Sequence, residues 1–326
     1  MIGARAFVAV CLALALPQVS CLSPGPVCHR GTPVPAGPHD ELPRTVTREA
    51  DGAEMVLVSG GRAWRGALPE DGDALPDEAP GEWLNVPAFY VDRTEVTRGQ
   101  FAMFVEATGY TTTHEVSGEG LAIADPPTNQ NRWVHGCSWR TVPPGYADDD
   151  PLLHSLPVTF VSRNDAEAYC EWVGAKLPSE AQFEFLLRAS SPMSIYPWGD
   201  ASAPRLGWGN LPGQELRDAF PDWPLNLLGE YSDDHVRTAP VASYLRDGNG
   251  LHDISGNVSE WCRDPYVPYG HVETEFWGPG GSPSGVLRGG NFFQHPACLR
   301  SSSRRQADPA YGRECWGFRL SLIHIS

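Results

Sequence analysis

The chain has 326 residues, of which 41% are apolar, enough to build a sizeable hydrophobic core in one large domain or two ordinary ones. Its 24 Lys and Arg residues against 40 Asp and Glu residues give a formal net charge of -16. This balance argues against nucleic acid as a partner, because a phosphate backbone is bound by a basic surface. The 34 Gly, 31 Pro and 11 Trp residues are typical of short elements joined by ordered, irregular loops.

The N-terminal segment has the features of an export signal. Arg5 precedes an apolar run over residues 6–16, which is too short to span a bilayer but suits the hydrophobic region of a signal peptide. We therefore predict that residues 1–21 are a signal peptide and that the protein is exported. Cys21 ends this segment and leaves two interpretations open: a periplasmic or membrane-anchored lipoprotein with a lipid on Cys21, or a secreted protein.

Two further regions follow the predicted signal. Residues 22–51 are rich in Pro, Gly and charge without periodicity, which predicts a flexible spacer. The folded domain is predicted to occupy residues 52–322. No stretch after the signal is long and apolar enough to predict a transmembrane helix.

Strand patterns come first in the predicted domain, and helix patterns follow. The stretch "EMVLVSGGRAWRG" alternates and predicts an edge hairpin that turns at Gly60 and Gly61, and "WLNVPAFYVDRTEVT" predicts a second strand region. Three helices are then predicted by N-terminal capping pairs, in which a Ser or Thr precedes a polar residue by three positions. These pairs are Thr97 with Gln100, Ser162 with Asp165, and Ser179 with Gln182. Gly109 and Gly174 end the first two helices.

Several sequence blocks, taken in order, resemble the sulfatase-modifying-factor (formylglycine-generating enzyme) domain. They include "FYVDRTEVTRGQFAMFVEATGY", "PVTFVSRNDAEAYCEWVGAKLPSEAQFEFLLRA", "NGLHDISGNVSEW" and "LRGGNFF", and the resemblance extends over roughly residues 52–322. It implies an α+β fold of the formylglycine-generating-enzyme type, a variant of the C-type lectin fold with little regular secondary structure. That expectation agrees with the Gly- and Pro-rich composition.

The activity implied by the resemblance is oxidation of a cysteine in a sulfatase to formylglycine, with copper held by two cysteines. In the family these follow an Arg-Gly-Gly-Ser turn as Ser-x-x-Cys-x-x-x-x-Cys, whereas this chain reads "RGGNFFQHPACL". Asn291 takes the place of the serine, and Gln294 and Leu299 take the places of the cysteines. Copper is therefore not expected to bind, because Cu(I) prefers soft sulfur ligands. The candidate residues of the active-site loop are Gln294, His295 and Cys298, and Ser259 stands where the family commonly has tryptophan.

Two structural calcium sites are implied by the resemblance, and their positions match here. Calcium prefers six to eight oxygen ligands, and carboxylates together with backbone carbonyls supply them. The first set is the side chains of Asp253 and Glu260 with the carbonyls of Gly256 and Val258. The second set is Asn210, the Leu211 carbonyl, Asp233 and the His235 carbonyl.

The cysteines beyond the predicted signal are expected to form disulfides in an oxidising compartment, and the residues alone leave the pairing open. The resemblance favours Cys262 with Cys298, because their blocks lie side by side in the family core. It also favours Cys170 with Cys315, although the family usually places that partner cysteine where this chain has Leu320.

The family resemblance implies structural roles for Arg300, Arg304, Arg305 and Arg319, which hold the C-terminal loops together. The ten histidines are scattered, and none of their spacings places two on one face. A histidine-bound iron site is therefore not expected.

Two functions from different classes fit these residues. The first is a non-catalytic, calcium-stabilised binding or accessory module that engages a protein, peptide or glycan through Trp198, Trp277 and Trp316. The alternative is a formylglycine-generating oxidase, or a related metal-dependent oxidoreductase acting on a protein cysteine, that recruits a metal through Gln294, His295 and Cys298. Gln294 distinguishes the two, because a fold does not carry catalysis into a site whose ligands are missing.

Overall fold

A computed structural model describes residues 42–123, 133–189, 191–201, 203–271 and 283–322 of the protein. The predicted signal peptide, Cys21, most of the predicted spacer and Trp277 lie outside these residues. Within the described ranges, no helix combines the length and apolar character needed to cross a membrane.

The described residues form short helices and strands between long irregular segments. The helices are α1 (Arg98–Thr108), α2 (Thr113–Ser117), α3 (Arg163–Val173), α4 (Glu180–Leu187) and α5 (Gln214–Ala219). The strands are β1 (Thr45–Thr47), β2 (Glu54–Val58), β3 (Gly61–Arg65), β4 (Glu82–Val86), β5 (Phe89–Asp92), β6 (Leu121–Ile123), β7 (Trp133–His135), β8 (Ser259–Pro265), β9 (Gly285–Arg288), β10 (Arg305–Ala307), β11 (Trp316–Gly317) and β12 (Ser321–Leu322). This is the α+β architecture with little regular secondary structure that the sequence predicted.

Two four-stranded sheets organise the strands. The first has the order β1-β2-β5-β12 with antiparallel neighbours, so strands from both ends of the described chain share one sheet. The second has the order β10-β9-β8-β11, in which β11 runs parallel to β8. The pairs β3-β4 and β6-β7 form two-stranded ribbons.

The predicted helix starts are confirmed by their hydrogen bonds. In α1 the Thr97 hydroxyl accepts from the backbone N–H of Gln100, and the Gln100 side chain accepts from the N–H of Thr97. The same reciprocal pattern occurs at α3 and α4. Gly109 adopts the left-handed conformation with φ 69°, which ends α1 where the sequence predicted.

One prediction about the N-terminal part of the domain is wrong. β2 and β3 do not pair as an edge hairpin: β2 lies between β1 and β5, whereas β3 pairs with β4. Gly60 carries the chain from one sheet to the other, and a side chain there would lie 2.3 Å from the Val86 carbonyl oxygen. Within residues 42–51 of the predicted spacer, β1 pairs with β2, and Arg48 and Asp51 are buried.

Two buried clusters form the main core. In the first, Phe101 of α1 and Tyr169 of α3 pack with Trp261 of β8, which is fully buried. In the second, Phe183 of α4 packs with residues of both four-stranded sheets, including Phe89 of β5. α4 therefore joins the two sheets across a shared apolar core.

Buried arginine–carboxylate pairs tie the irregular loops to this core. Arg300 donates two hydrogen bonds to the Glu78 carboxylate, at 2.6 and 2.7 Å, and one to Asp71 at 2.7 Å. The other buried pairs are Arg48 with Asp51 and Asp92, Arg188 and Arg288 with Glu184, Arg304 with Glu180, and Arg319 with Glu260. The structural roles predicted for Arg300, Arg304 and Arg319 are consistent with these contacts.

Replacing Glu78 by glutamine is expected to destabilise the fold by about 3 kcal/mol, because it leaves the buried Arg300 guanidinium without its principal counter-charge. The matched control is Glu82→Gln, whose partner Arg65 and own side chain are 27% and 48% exposed. The control is expected to cost less than about 1 kcal/mol. Urea unfolding of both variants measures the difference, and equal losses would contradict the structural role of the buried pair.

Candidate functional site

A pocket lined by polar and apolar residues lies beside the Gly289-Gly290 turn that follows β9. Its cavity volume is about 150 Å³. The lining residues come from the segment between β3 and β4, the start of β8, the end of β9, the loop after the turn and the start of β10. They are Leu75, Ser259, Leu287, Arg288, Gly290, Gln294, Cys298, Ser303, Arg304 and Arg305.

Two polar side chains contact the Ser259 hydroxyl at this pocket, those of Asn291 and Gln294. The Asn291 side-chain amide donates to the Ser259 hydroxyl at 2.9 Å, and the Gln294 side-chain oxygen lies 3.5 Å from the same hydroxyl. The Asn291 side-chain oxygen also accepts from the backbone N–H of Phe293 at 3.0 Å. The three residues that replace the family's usual Trp, Ser and Cys therefore contact one another.

The structure brings together only part of the predicted active-site loop. Gln294 and Cys298 both line the pocket, but His295 is exposed and absent from the lining. Its ring Nδ1 instead accepts the backbone N–H of Ala297 at 3.1 Å. Leu299, at the second cysteine position, is buried with Leu211 and faces a different cluster. His295 is thus a local capping residue.

The Cys298 thiol is half-buried, and burial raises its pKa although Arg305 and Arg300 oppose the shift. A protonated thiol is a weak nucleophile and a weak metal ligand. Gln294 supplies an amide in place of a second sulfur. These two residues do not fit a Cu(I) site, which prefers soft thiolate ligands.

The two predicted disulfides are absent among the described residues, where Cys262, Cys298, Cys170 and Cys315 are all free thiols. Strand geometry explains the first pair. Neighbouring residues of a strand point to opposite faces, so Ser259 and Cys262, three positions apart, face different sides of β8. Ser259 lines the pocket with Cys298, whereas Cys262 is buried against the second core cluster.

Trp316, one of the three aromatic residues predicted to contact a ligand, belongs to the core. It is 3% exposed and packs edge-on against Trp261 with ring centres 5.5 Å apart. Trp198 is half-buried and stacks on Tyr196 at 4.8 Å. Of Trp198 and Trp316, only Trp198 has a partly exposed ring.

The first predicted calcium set extends from the loop that leads into β8 to Glu260 in β8 itself. Asp253 is 4% exposed, and its Oδ2 accepts from the backbone N–H of Ala242 at 2.8 Å. Its Oδ1 is buried and has no hydrogen-bond partner among the described residues. Gly256 has φ 100°, and a side chain there would lie 2.4 Å from the Asn210 carbonyl oxygen. The Glu260 carboxylate accepts from Arg319 at 2.7, 2.8 and 3.0 Å.

The second predicted set is also assembled in one place. Asp233 accepts from the backbone N–H groups of Leu211 at 2.7 Å and His235 at 3.0 Å. Burial raises the pKa of Asp233 to about 7. The Asn210 side-chain amide donates to the Asn257 side chain at 3.0 Å, while its oxygen is buried without a partner in the described ranges.

The buried oxygens of Asn210 and Asp253 fit a hard cation. A buried oxygen without a donor is costly unless a cation or water compensates it. No group of three or more His, Cys, Asp and Glu side chains in the described residues is arranged to hold a metal by itself. The two sets therefore depend on backbone carbonyls and on the Asn210 amide, as calcium ligation commonly does.

Glu95 was not predicted from the sequence. Like Asp253, it is a buried acid with one carboxylate oxygen that has no hydrogen-bond partner among the described residues. It is 1% exposed, and Asn257 donates to its Oε1 at 3.0 Å. The other oxygen, Oε2, is buried and unpartnered among the described residues. The only sequence signal was a glutamate between Thr94 and Val96 in the "YVDRTEVT" segment.

Comparisons with known proteins identify the family and the fold of this chain. Residues 40–322 match the family described as the sulfatase-modifying factor enzyme 1-like domain. A formylglycine-generating enzyme of Streptomyces coelicolor is 32% identical over 309 residues, covering 89% of this chain and 95% of the relative. An inactive C-alpha-formylglycine-generating enzyme 2 of Mus musculus is 31% identical and covers 70% of this chain and 74% of the relative. The solved structure of PvdO from Pseudomonas aeruginosa has the same fold, with a TM-score of 0.60, 23% identity and coverage of 85% and 97%.

Alkylation of Cys298 by iodoacetamide is expected to be slow near neutral pH, because its raised pKa leaves little thiolate. The labelling rate should rise about tenfold per pH unit between about pH 7 and about pH 9. Site-resolved mass spectrometry of the intact protein measures this rate. A fast rate that does not change with pH would indicate an activated thiolate, and complete resistance to labelling would indicate a disulfide.

Proposed function

We propose that this chain, which belongs to the sulfatase-modifying factor enzyme 1-like family, is an exported, calcium-stabilised binding or accessory module that does not perform the family oxidation. It retains the family fold and the pocket beside the Arg-Gly-Gly turn. The proposed ligand is a protein, peptide or glycan group that enters this pocket. Export rests on the predicted N-terminal signal.

The composition of the pocket carries the proposal. Formylglycine synthesis by the family mechanism requires two cysteines on copper, and the lining described here contains Cys298 as its cysteine. Gln294 contacts Ser259, and Leu299 is 1% exposed in a separate apolar cluster. One protonated thiol beside an amide supports binding rather than copper chemistry.

The relatives include both an enzyme and a protein named as inactive. The Streptomyces coelicolor relative is a formylglycine-generating enzyme, whereas the Mus musculus relative is described as inactive. Both are almost equally similar to this chain, at 32% and 31% identity. Overall similarity therefore does not decide the activity of this chain. The residues of the pocket are the evidence that bears on it.

The chemistry of the pocket favours a small polar or anionic group of the ligand. Arg288 and Arg304 are neutralised by Glu184 and Glu180, at 2.6 and 2.5 Å. Arg305 is exposed, and its guanidinium lies 5.6 Å from the Trp316 ring centre. A cavity of about 150 Å³ is large enough for a side chain or a few polar atoms of a larger partner.

Calcium is proposed at the first and second predicted calcium sets because most of their residues lie in irregular loops. Loops without strands or helices must satisfy their carbonyl groups by other means, and a bound cation does so. The unpartnered oxygens of Asn210 and Asp253 support one cation in each set.

Calcium removal is expected to lower the melting temperature of the purified protein. A ligand that binds only the folded state at 100 times its Kd stabilises it by about 2.7 kcal/mol per site. Calorimetric titration should detect two calcium equivalents, and Asn210→Ala should remove one of them. An unchanged melting temperature in chelator, together with no detectable calcium binding, would refute this part of the proposal.

Copper binding gives the direct test of the lost catalytic pair. The native chain is expected to fail to remove Cu(I) from a competing chromophoric chelator. The variant Gln294→Cys places a second thiol in the pocket that Cys298 lines and is the matched comparison. It is expected to bind Cu(I), because two thiols then line one pocket. Equal, tight Cu(I) binding by the native chain would favour the oxidoreductase alternative.

A further inference from the structure

A second cavity lies at the start of α1 and is separate from the pocket beside the Gly289-Gly290 turn. Its volume is about 280 Å³, and among the described residues it shares no lining side chain with that pocket. The buried side chains of Trp139 and Leu153 form part of an apolar wall. The ionisable residues of the lining are Arg98, Arg140, Asp148, Asp149, Asp150 and His154. The cavity therefore combines groups of both charges with apolar surface.

Arg98 is a buried cation without an acidic partner in the described ranges. It is 9% exposed, and its guanidinium donates to the backbone carbonyls of Thr141 at 2.8 Å and Arg140 at 3.3 Å. Burial lowers the pKa of Arg98, and no nearby acid opposes the shift. Burial also disfavours the charges of Arg300 and Arg319, but their acidic partners raise the pKa of both groups. Arg98 thus differs from the arginines that tie the loops together.

The position of Arg98 in α1 adds to the cost of its charge. Arg98 is the first residue of the helix, where the partial positive charge of the helix N-terminus disfavours a cation. A buried charge that lacks a counter-charge lowers stability strongly. A ligand anion placed beside Arg98 would offset both effects, and the cavity borders this side chain.

Asp148 and Asp149 restrict which anion the cavity accepts. Both are exposed and line the same cavity as Arg98. Arg140, the other arginine of the lining, is paired with Glu115 at 2.7 Å instead. Like charges repel, so a simple anion bound at Arg98 is disfavoured by the two aspartates. An ammonium group on the same ligand reverses the sign of that interaction, so the lining favours a zwitterion.

We propose that this cavity binds a free α-amino acid with an apolar side chain, its carboxylate at Arg98 and its ammonium group at Asp148 and Asp149. A guanidinium has five N–H donors, of which the two carbonyl contacts use two, so donors remain for a carboxylate. The wall containing Trp139 and Leu153 contacts the apolar side chain. A volume of about 280 Å³ lies just below the range of about 300–1,000 Å³ for pockets that take drug-sized ligands, which suits a molecule of this size.

Calorimetric titration of the intact chain with L-valine tests the proposal, with isovalerate and L-valinamide as matched probes. Isovalerate lacks the ammonium group, and L-valinamide lacks the carboxylate. L-Valine is expected to bind, and each probe is expected to bind at least about tenfold more weakly, because each loses a charge-assisted contact. Equal affinities for L-valine and isovalerate would overturn the zwitterion assignment. No binding of L-valine, L-leucine or L-methionine at millimolar concentrations would overturn the site.

Arg98→Gln removes the charge while its amide group can still donate to the Thr141 carbonyl. This variant is expected to lose L-valine binding. Arg217→Gln is the matched control, because it removes an exposed arginine of α5 and should bind L-valine as the native chain does. A melting curve shows whether Arg98→Gln is folded. L-Valine binding retained by a folded Arg98→Gln variant would refute the role of Arg98.

The double variant Asp148→Asn, Asp149→Asn tests the other half of the site at exposed positions, where folding is not expected to change. It is expected to weaken L-valine binding and to strengthen isovalerate binding, because the repulsion of the anion is removed. Glu106→Gln removes a charge from an exposed position of α1 and should leave both affinities unchanged. An unaltered preference for L-valine in the double variant would contradict the proposal. None of these readouts depends on the calcium sites or on the pocket beside the Gly289-Gly290 turn.

Discussion

Buried ion pairs hold together a chain that has long irregular segments and few regular hydrogen-bond ladders. Arg300 connects the loop after β9 to Glu78, more than two hundred residues earlier in the chain, and Arg319 connects the C-terminal segment to Glu260. Such pairs contribute little net stability when compared with apolar replacements. Removing one partner lowers stability strongly, because it leaves the other charge buried and unpaired. Their main effect is to specify one arrangement of the loops, and every feature of the pocket depends on that arrangement.

This scaffold explains how the pocket survives without the family's copper ligands. Arg288 and Arg304 form part of its wall, and both are fixed by glutamates of α4. These two ion pairs do not involve the residues at positions 294 and 299. Gln294 remains at the pocket, while Leu299 joins the apolar core around Leu211. The fold is thus maintained independently of the chemistry at the turn, which allows a binding function to replace an oxidation.

Local signals in the sequence predicted local structure. They could not predict contacts between residues that lie far apart in the chain. The capping pair Thr97 with Gln100 predicted the start of α1, because both hydrogen bonds lie within four residues. The sheet change at Gly60 was missed, because the partner of β3 depends on the distant strand β4. Glu95 was missed for the same reason: its neighbours Asn257 and Asp253 lie far along the chain. The proposed calcium positions came from the family resemblance, which already contains such long-range information.

The central claim is that this family member does not oxidise cysteine. The most direct measurement incubates the purified chain with a sulfatase-derived cysteine peptide, Cu(I), oxygen and a thiol reductant, and follows the peptide by mass spectrometry. A formylglycine-generating enzyme, such as the Streptomyces coelicolor relative, serves as the positive control. The account predicts an unconverted peptide with this chain and a converted peptide with the control. Formylglycine produced by this chain, and abolished by Cys298→Ser, would contradict it.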